Sequence, residues 1–149
     1  MIHKARRVVT GHDHNGHSIV LIDEDISLDE SAPGSLCVAR IWSTLASPAD
    51  NNDDRDGSTL ISTMYAENGS AINVVDFPPR SVVPLHRTNT IDYAVIMTGT
   101  IELGLDNGQT VQVEAGGVIV QRGSRHAWRN PTDQWVRMIC VLLPANPVR

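Results

Sequence analysis

Short runs of β-forming residues, cut apart by glycine- and proline-bearing pairs, constrain this chain more than any other feature. The cuts are Asn15-Gly16, Asn68-Gly69, Pro78-Pro79, Asn107-Gly108 and Gly116-Gly117. An Asn-Gly pair readily supplies the positive φ that a two-residue hairpin turn needs at both central positions. Between the cuts lie ARRVVT, HSIVLID, LCVARIWSTL, LISTMYAE, AINVVDF, YAVIMTGTIELGLD, QTVQVEA, VIVQ and WVRMICVLL. No stretch of ten or more residues keeps a helical period. The expectation is an all-β chain, antiparallel, folded as a sandwich or barrel.

The chain of 149 residues suits one domain, residues 1–149, with a sizeable core. Residues 1–35 read as an N-terminal β-hairpin arm and residues 36–149 as the barrel. The expected strands include Leu36–Leu45, Leu60–Glu67 and Ala71–Phe77, with Ala46–Thr59 as a polar surface loop between the first two. A net charge of −5 with no basic stretch argues against a nucleic-acid partner. No apolar run is long enough to span a membrane. The N-terminus is basic but has no apolar core behind it, so it does not read as a signal peptide. Cys37 and Cys140 read as reduced thiols of a cytoplasmic protein. His12, His14 and His17 cluster at the Asn15-Gly16 tip and read as an exposed turn.

Candidate chemistry concentrates between residues 84 and 130. In an extended strand side chains alternate. On that basis His86, Thr88 and Asp92 share a face with Ala94, Ile96 and Thr98. Leu85, Ile91, Tyr93, Val95 and Met97 fall on the other. Both faces are mostly apolar, which predicts a strand covered on both sides. His126, Trp128 and Asn130 share a face of a later strand. Arg40 and Trp42 share a face of an earlier one, so Arg40 is a candidate to grip a carboxylate or phenolate and Trp42 a candidate pocket wall. Trp128 is a candidate stacking surface and Gln121 a candidate polar group on an inner face.

At these residues the chain resembles the cupin family. His86, Thr88, Asp92 and Gly99 stand at the places of the first cupin motif, and Gly116, Gln121, Gly123, His126 and Asn130 at those of the second. The resemblance is close over roughly the last third of the chain and looser over the strands before it. It implies an antiparallel double-stranded β-helix, the jelly-roll or cupin barrel. The usual second His is Thr88, the usual Glu is Asp92 and the usual Pro is Gln121. What remains is a three-ligand set, His86, Asp92 and His126, for a divalent metal such as Fe, Mn, Zn or Ni, or a metal-free pocket in which the same groups do acid–base work.

The expected function is a small-molecule enzyme of lyase type: a dehydratase, decarboxylase or isomerase acting next to a carbonyl. The resemblance points to a polyketide or aromatic metabolite. Its catalytic residues would be His86, Asp92 and His126, with Thr88, Arg40, Trp42, Trp128 and Gln121 around the substrate. The alternatives are an Fe(II)-dependent dioxygenase on the same three residues and a binding module without turnover. Exposed edge strands and the hairpin arm predict a homodimer.

Overall fold

The computed structural model describes residues 3–30, 32 and 34–149. Among them are twelve strands and no helix. In chain order β1 is Lys4–His12, β2 Ser18–Ser27, β3 Asp29–Glu30 and β4 Cys37–Ser43. Then come β5 Ala71–Phe77, β6 Val82–His86, β7 Thr90–Thr98 and β8 Thr100–Leu105. The last four are β9 Thr110–Glu114, β10 Val118–Arg122, β11 His126–Arg129 and β12 Val136–Pro144.

Every strand pairing is antiparallel. A six-stranded sheet runs β10-β7-β12-β5-β4-β3 and a four-stranded sheet runs β6-β11-β8-β9. The main core lies between them. Phe77, Ala94, Ile96, Val136 and Met138 project from the larger sheet onto Ile101, Leu103 and Trp128 of the smaller. These residues alternate with exposed or half-buried ones along β7, β8, β11 and β12, the period-two pattern of strands with one face inside.

The β1–β2 hairpin lies on the back of the larger sheet. A second apolar cluster, Leu28, Cys37, Ala39 and Val74, seals the junction with Ala5 and Ile26. Polar contacts add to it. Arg7, 4% exposed, donates to both carboxylate oxygens of Asp56 (2.7 and 2.9 Å) and to Glu24. Arg137 grips Asp76 with two bonds of 2.7 Å. The Arg7–Asp56 pair also ties down the far end of the predicted 46–59 surface loop.

Four expectations change. Asn15-Gly16 does not form the two-residue turn. The hairpin closes through Asp13–His17, where Asp13 Oδ1 accepts from the backbone N–H of Asn15 and His17. Only Gly16 of the pair has positive φ, 81°. Leu60–Glu67 is not a strand. Side chains take its carbonyls in place of a neighbouring strand: Arg40 donates to Thr63 O and Asn73 Nδ2 to Met64 O at 3.0 Å. The run from His86 to Asp92 is not one strand but two, β6 and β7, which belong to different sheets. The outer face of β7 is not fully covered by the described residues, since Tyr93 and Met97 are 42% and 48% exposed.

Candidate functional site

The last residue of β6 is His86 and the first of β11 is His126, and the ladder sets their Cα atoms opposite each other. Their rings lie 4.2 Å apart between centroids, tilted by 55°. Both are fixed by the same local device. His86 Nδ1–H donates to Pro84 O at 2.8 Å, and His126 Nδ1–H can donate to Ser124 O at 2.9 Å. In each case the carbonyl is two residues earlier in the chain. A proton held on Nδ1 leaves the Nε2 lone pair free to accept a proton or bind a cation.

His126 has a further neighbour. Gln121 Nε2, on β10 of the other sheet, lies 2.8 Å from His126 Nδ1 and donates to Ser124 O (3.0 Å) and Ser124 Oγ (2.7 Å). Nδ1 therefore has both a carbonyl acceptor and an amide donor within reach. The ring can be served in either tautomer, with Nε2 as base or as acid. His126 is 2% exposed. Burial pulls its pKa below the ordinary value; the Ser124 bond opposes this and the charge of His86 adds to it.

Asp92 faces the imidazoles from the larger sheet. It pairs with Gln121 across the β7–β10 ladder and with Leu142 across β7–β12. It is 6% exposed, and its Oδ1 is buried with no hydrogen-bond partner. Burial raises its pKa above the ordinary carboxylate value, against smaller pulls from Thr90 and His86. Cys140 lies nearby on β12. Its thiol is pushed up to about 12 by burial and then by the charge of Asp92, so it is inert as a nucleophile.

The predicted metal set is not assembled. Among the described residues no three His, Cys, Asp or Glu side chains gather closely enough to hold a metal ion. The two imidazoles meet, but Asp92 hangs from the opposing sheet on a short side chain and stays out of their group. A catalytic zinc-type site takes three protein donors, and the residues as placed do not form one.

The sequence profile of the family described as "Cupin domain" matches residues 73–142. The chain is 34% identical to phomopsin biosynthesis cluster protein D of Diaporthe leptostromiformis, over 95% of this chain and 79% of that protein. It is 30% identical to the cupin-domain-containing oxidoreductase virC of Hypocrea virens, over 95% of this chain and 77% of that one. The chain belongs to the cupin family. Its fold is also that of the polyketide cyclase RemF of Streptomyces resistomycificus, with a TM-score of 0.51 at 19% identity, covering 72% of this chain and 63% of that one.

The remaining candidates in this cupin divide. Gln121 is 2% exposed and supports His126. Trp128 is a core residue whose ring meets that of His126 edge-on at 5.5 Å. Thr88 lies in the link between β6 and β7, where its hydroxyl accepts from Thr90 at 2.7 Å, and it does not share a strand with His86. Trp42 does not share the Arg40 face. A register shift between the two takes it to the other side, where it packs against Gly57 of the 46–59 loop and lines a cavity with Leu45, Ala49 and Leu60. Asn130 fixes its loop: Nδ2 donates to Phe77 O, Pro78 O and Gln134 O, and Oδ1 accepts from Thr132. Sequence reading missed Asn73, fully buried on β5 and bonded to Arg40 Nε at 2.6 Å. Its signal was an Asn in the middle of the apolar run AINVVDF, because a buried amide needs partners.

Proposed function

We propose that this cupin is a biosynthetic enzyme that moves a proton on a carbon next to a carbonyl of a small organic substrate, and so belongs to the lyase or isomerase class. The observation that carries this reading is the His86–His126 pair, each ring held at Nδ1 with Nε2 free, opposite a buried carboxyl biased toward its protonated form. His126 Nε2 takes the proton from carbon while Gln121 and Ser124 hold the ring. The carboxyl of Asp92, its pKa raised by burial, hydrogen-bonds the developing enolate oxygen in its protonated form. The proton on His126 then returns to carbon or, in a dehydration, leaves with hydroxide as water. Positioned acid–base groups of this kind contribute roughly a hundred- to ten-thousand-fold to rate. Kinship with a phomopsin cluster protein supports a secondary metabolite as substrate. So does the shared fold of a polyketide cyclase, though only by analogy.

A second reading follows from the relatives named oxidoreductases: an oxygen-using reaction on the same residues. One experiment separates the two. Deuterium uptake from D2O beside the carbonyl of phenylpyruvate is followed by NMR under argon with EDTA present. The acid–base reading expects exchange in the wild type and its loss in His126→Gln. Activity that appears only with oxygen and added Fe(II) would favour the oxidoreductase.

A further inference from the structure

The arginines docking the back of the large sheet are neutralised by acids: Arg7 by Asp56 and Glu24, Arg137 by Asp76. Arg40 is different. Its Nε donates to Asn73 Oδ1 and its Nη2 to Thr63 O, both uncharged acceptors. Its Nη1 is buried with no hydrogen-bond partner. No carboxylate pairs with it among the described residues. Burial pulls its pKa below the ordinary value, but a guanidinium keeps its charge throughout the physiological range. Arg40 as a whole is half-buried, but a charged donor atom sealed from solvent without an acceptor is costly unless something else supplies one.

The position of Arg40 says where that acceptor would come from. Val38, two residues earlier on β4, packs on the main core, so the Arg40 side of β4 faces the barrel interior. Across the large sheet Arg40 pairs with Asn73, Asn73 with Cys140, and Cys140 with Ala94. Asp92 lies two residues from Ala94 along β7, roughly 7 Å at strand rise. Thus the row that holds Arg40 is the neighbour of the row that holds Asp92. Asn73 and Thr63 take one edge of the guanidinium, through Nε and Nη2, while Nη1 remains unused.

We propose that Arg40 Nη1 binds a carboxylate group of the substrate, so that this cupin acts on organic acids and turns the acid's carbonyl-bearing end toward His86, His126 and Asp92. The inference rests on the acid–base reading for the orientation of the substrate but not for its charge. A charge-assisted bond from a guanidinium favours a carboxylate over its neutral amide, and lysine, a point charge on a flexible stem, reproduces it only in part.

The test is binding of benzoate against benzamide, its uncharged counterpart, measured by ligand-observed NMR. The wild type is expected to hold benzoate at least roughly tenfold tighter, as hydrogen bonds to a charged group allow. Arg40→Gln is expected to erase that preference while leaving benzamide affinity unchanged, and Arg40→Lys to keep only part of it. Equal affinities in the wild type, or no saturable benzoate binding, would overturn the proposal, and neither result needs a variant that folds. A preference that survives Arg40→Gln would also overturn it. So would a parallel loss of benzamide binding, which marks a structural role. His126→Gln should retain the benzoate preference, so loss of proton transfer in that variant bears on the acid–base reading alone.

Discussion

Gln121 reaches His126 from the other sheet, with its amide nitrogen 2.8 Å from Nδ1. The two residues are five apart in sequence, yet β10 and β11 never pair. The loop between them, turned by Gly123 at a φ of 63°, carries the chain from one sheet to the other and lays the amide against the ring. This contact ties the imidazole pair to the strand that borders Asp92.

Gln121→Met is expected to lower turnover by roughly tenfold with little change in KM, because one hydrogen bond to the ring is lost while the substrate's contacts remain. The pH profile should shift with it. Nitrogen-15 NMR of the imidazole provides the direct check: the wild type should show both tautomers, and the variant only the form with its proton on Nδ1.

Stability should depend on pH through His126. Its folded pKa lies below 6.5, so the unfolded chain binds the extra proton first as pH falls. Stability therefore declines from just below 6.5 downward until the folded-state value is reached. Asp92 acts at lower pH with the opposite sign. Its folded pKa lies above 3.8, so stability decreases as pH rises from 3.8 to that raised value. His126→Gln should remove the first slope and leave the second, as thermal melts at closely spaced pH values would reveal.

Purified without a tag, the protein is expected to carry divalent metal well below one equivalent, and deuterium exchange should survive EDTA. Elemental analysis of the wild type beside His86→Ala and Asp92→Ala measures this. One full equivalent in the wild type that disappears in both variants would restore the three-ligand site and overturn the metal-free mechanism. The exposed histidines His12, His14 and His17 at the hairpin tip should be replaced in the same background to remove weak surface binding.

Gly69→Ala is expected to destabilise the fold by roughly 1–3 kcal/mol. An added Cβ would stand 1.9 Å from Thr44 O, a backbone atom with little freedom to retreat. Gly16→Ala meets nothing within 4 Å, so its cost would come only from the φ of 81°. Chemical denaturation of the two variants separates close approach from backbone conformation as the reason for glycine.

Much of the site was legible because its parts obey local rules. Alternation placed Asp92, Ala94 and Ile96 on the inner side of β7, and the motif spacing singled out His86, His126 and Gln121. The break at Arg87–Asn89 was not legible, since it depends on which sheet each half joins, and sheet partners are chosen by tertiary packing. Trp42 was misplaced because one bulge reverses every face assignment beyond it. Leu60–Glu67 has strand-like residues, but Arg40 and Asn73 bind its carbonyls, and both are distant in sequence. Asp92 was assigned to a metal from its motif position and its even spacing from His86, whereas its reach depends on the distance between two sheets.

That distance has an evolutionary reading. Imidazoles hang from one sheet, the acid and the amide from the other, and around the Gln121–His126 contact hydrocarbon sets the gap: Trp128, Leu103, Leu142 and their neighbours. Swapping a leucine for a valine in this filling would act as a spacer adjustment, bringing proton donor and acceptor nearer or further apart with every reactive group untouched. Relatives could thus diverge in the reaction they perform through residues that never meet a substrate.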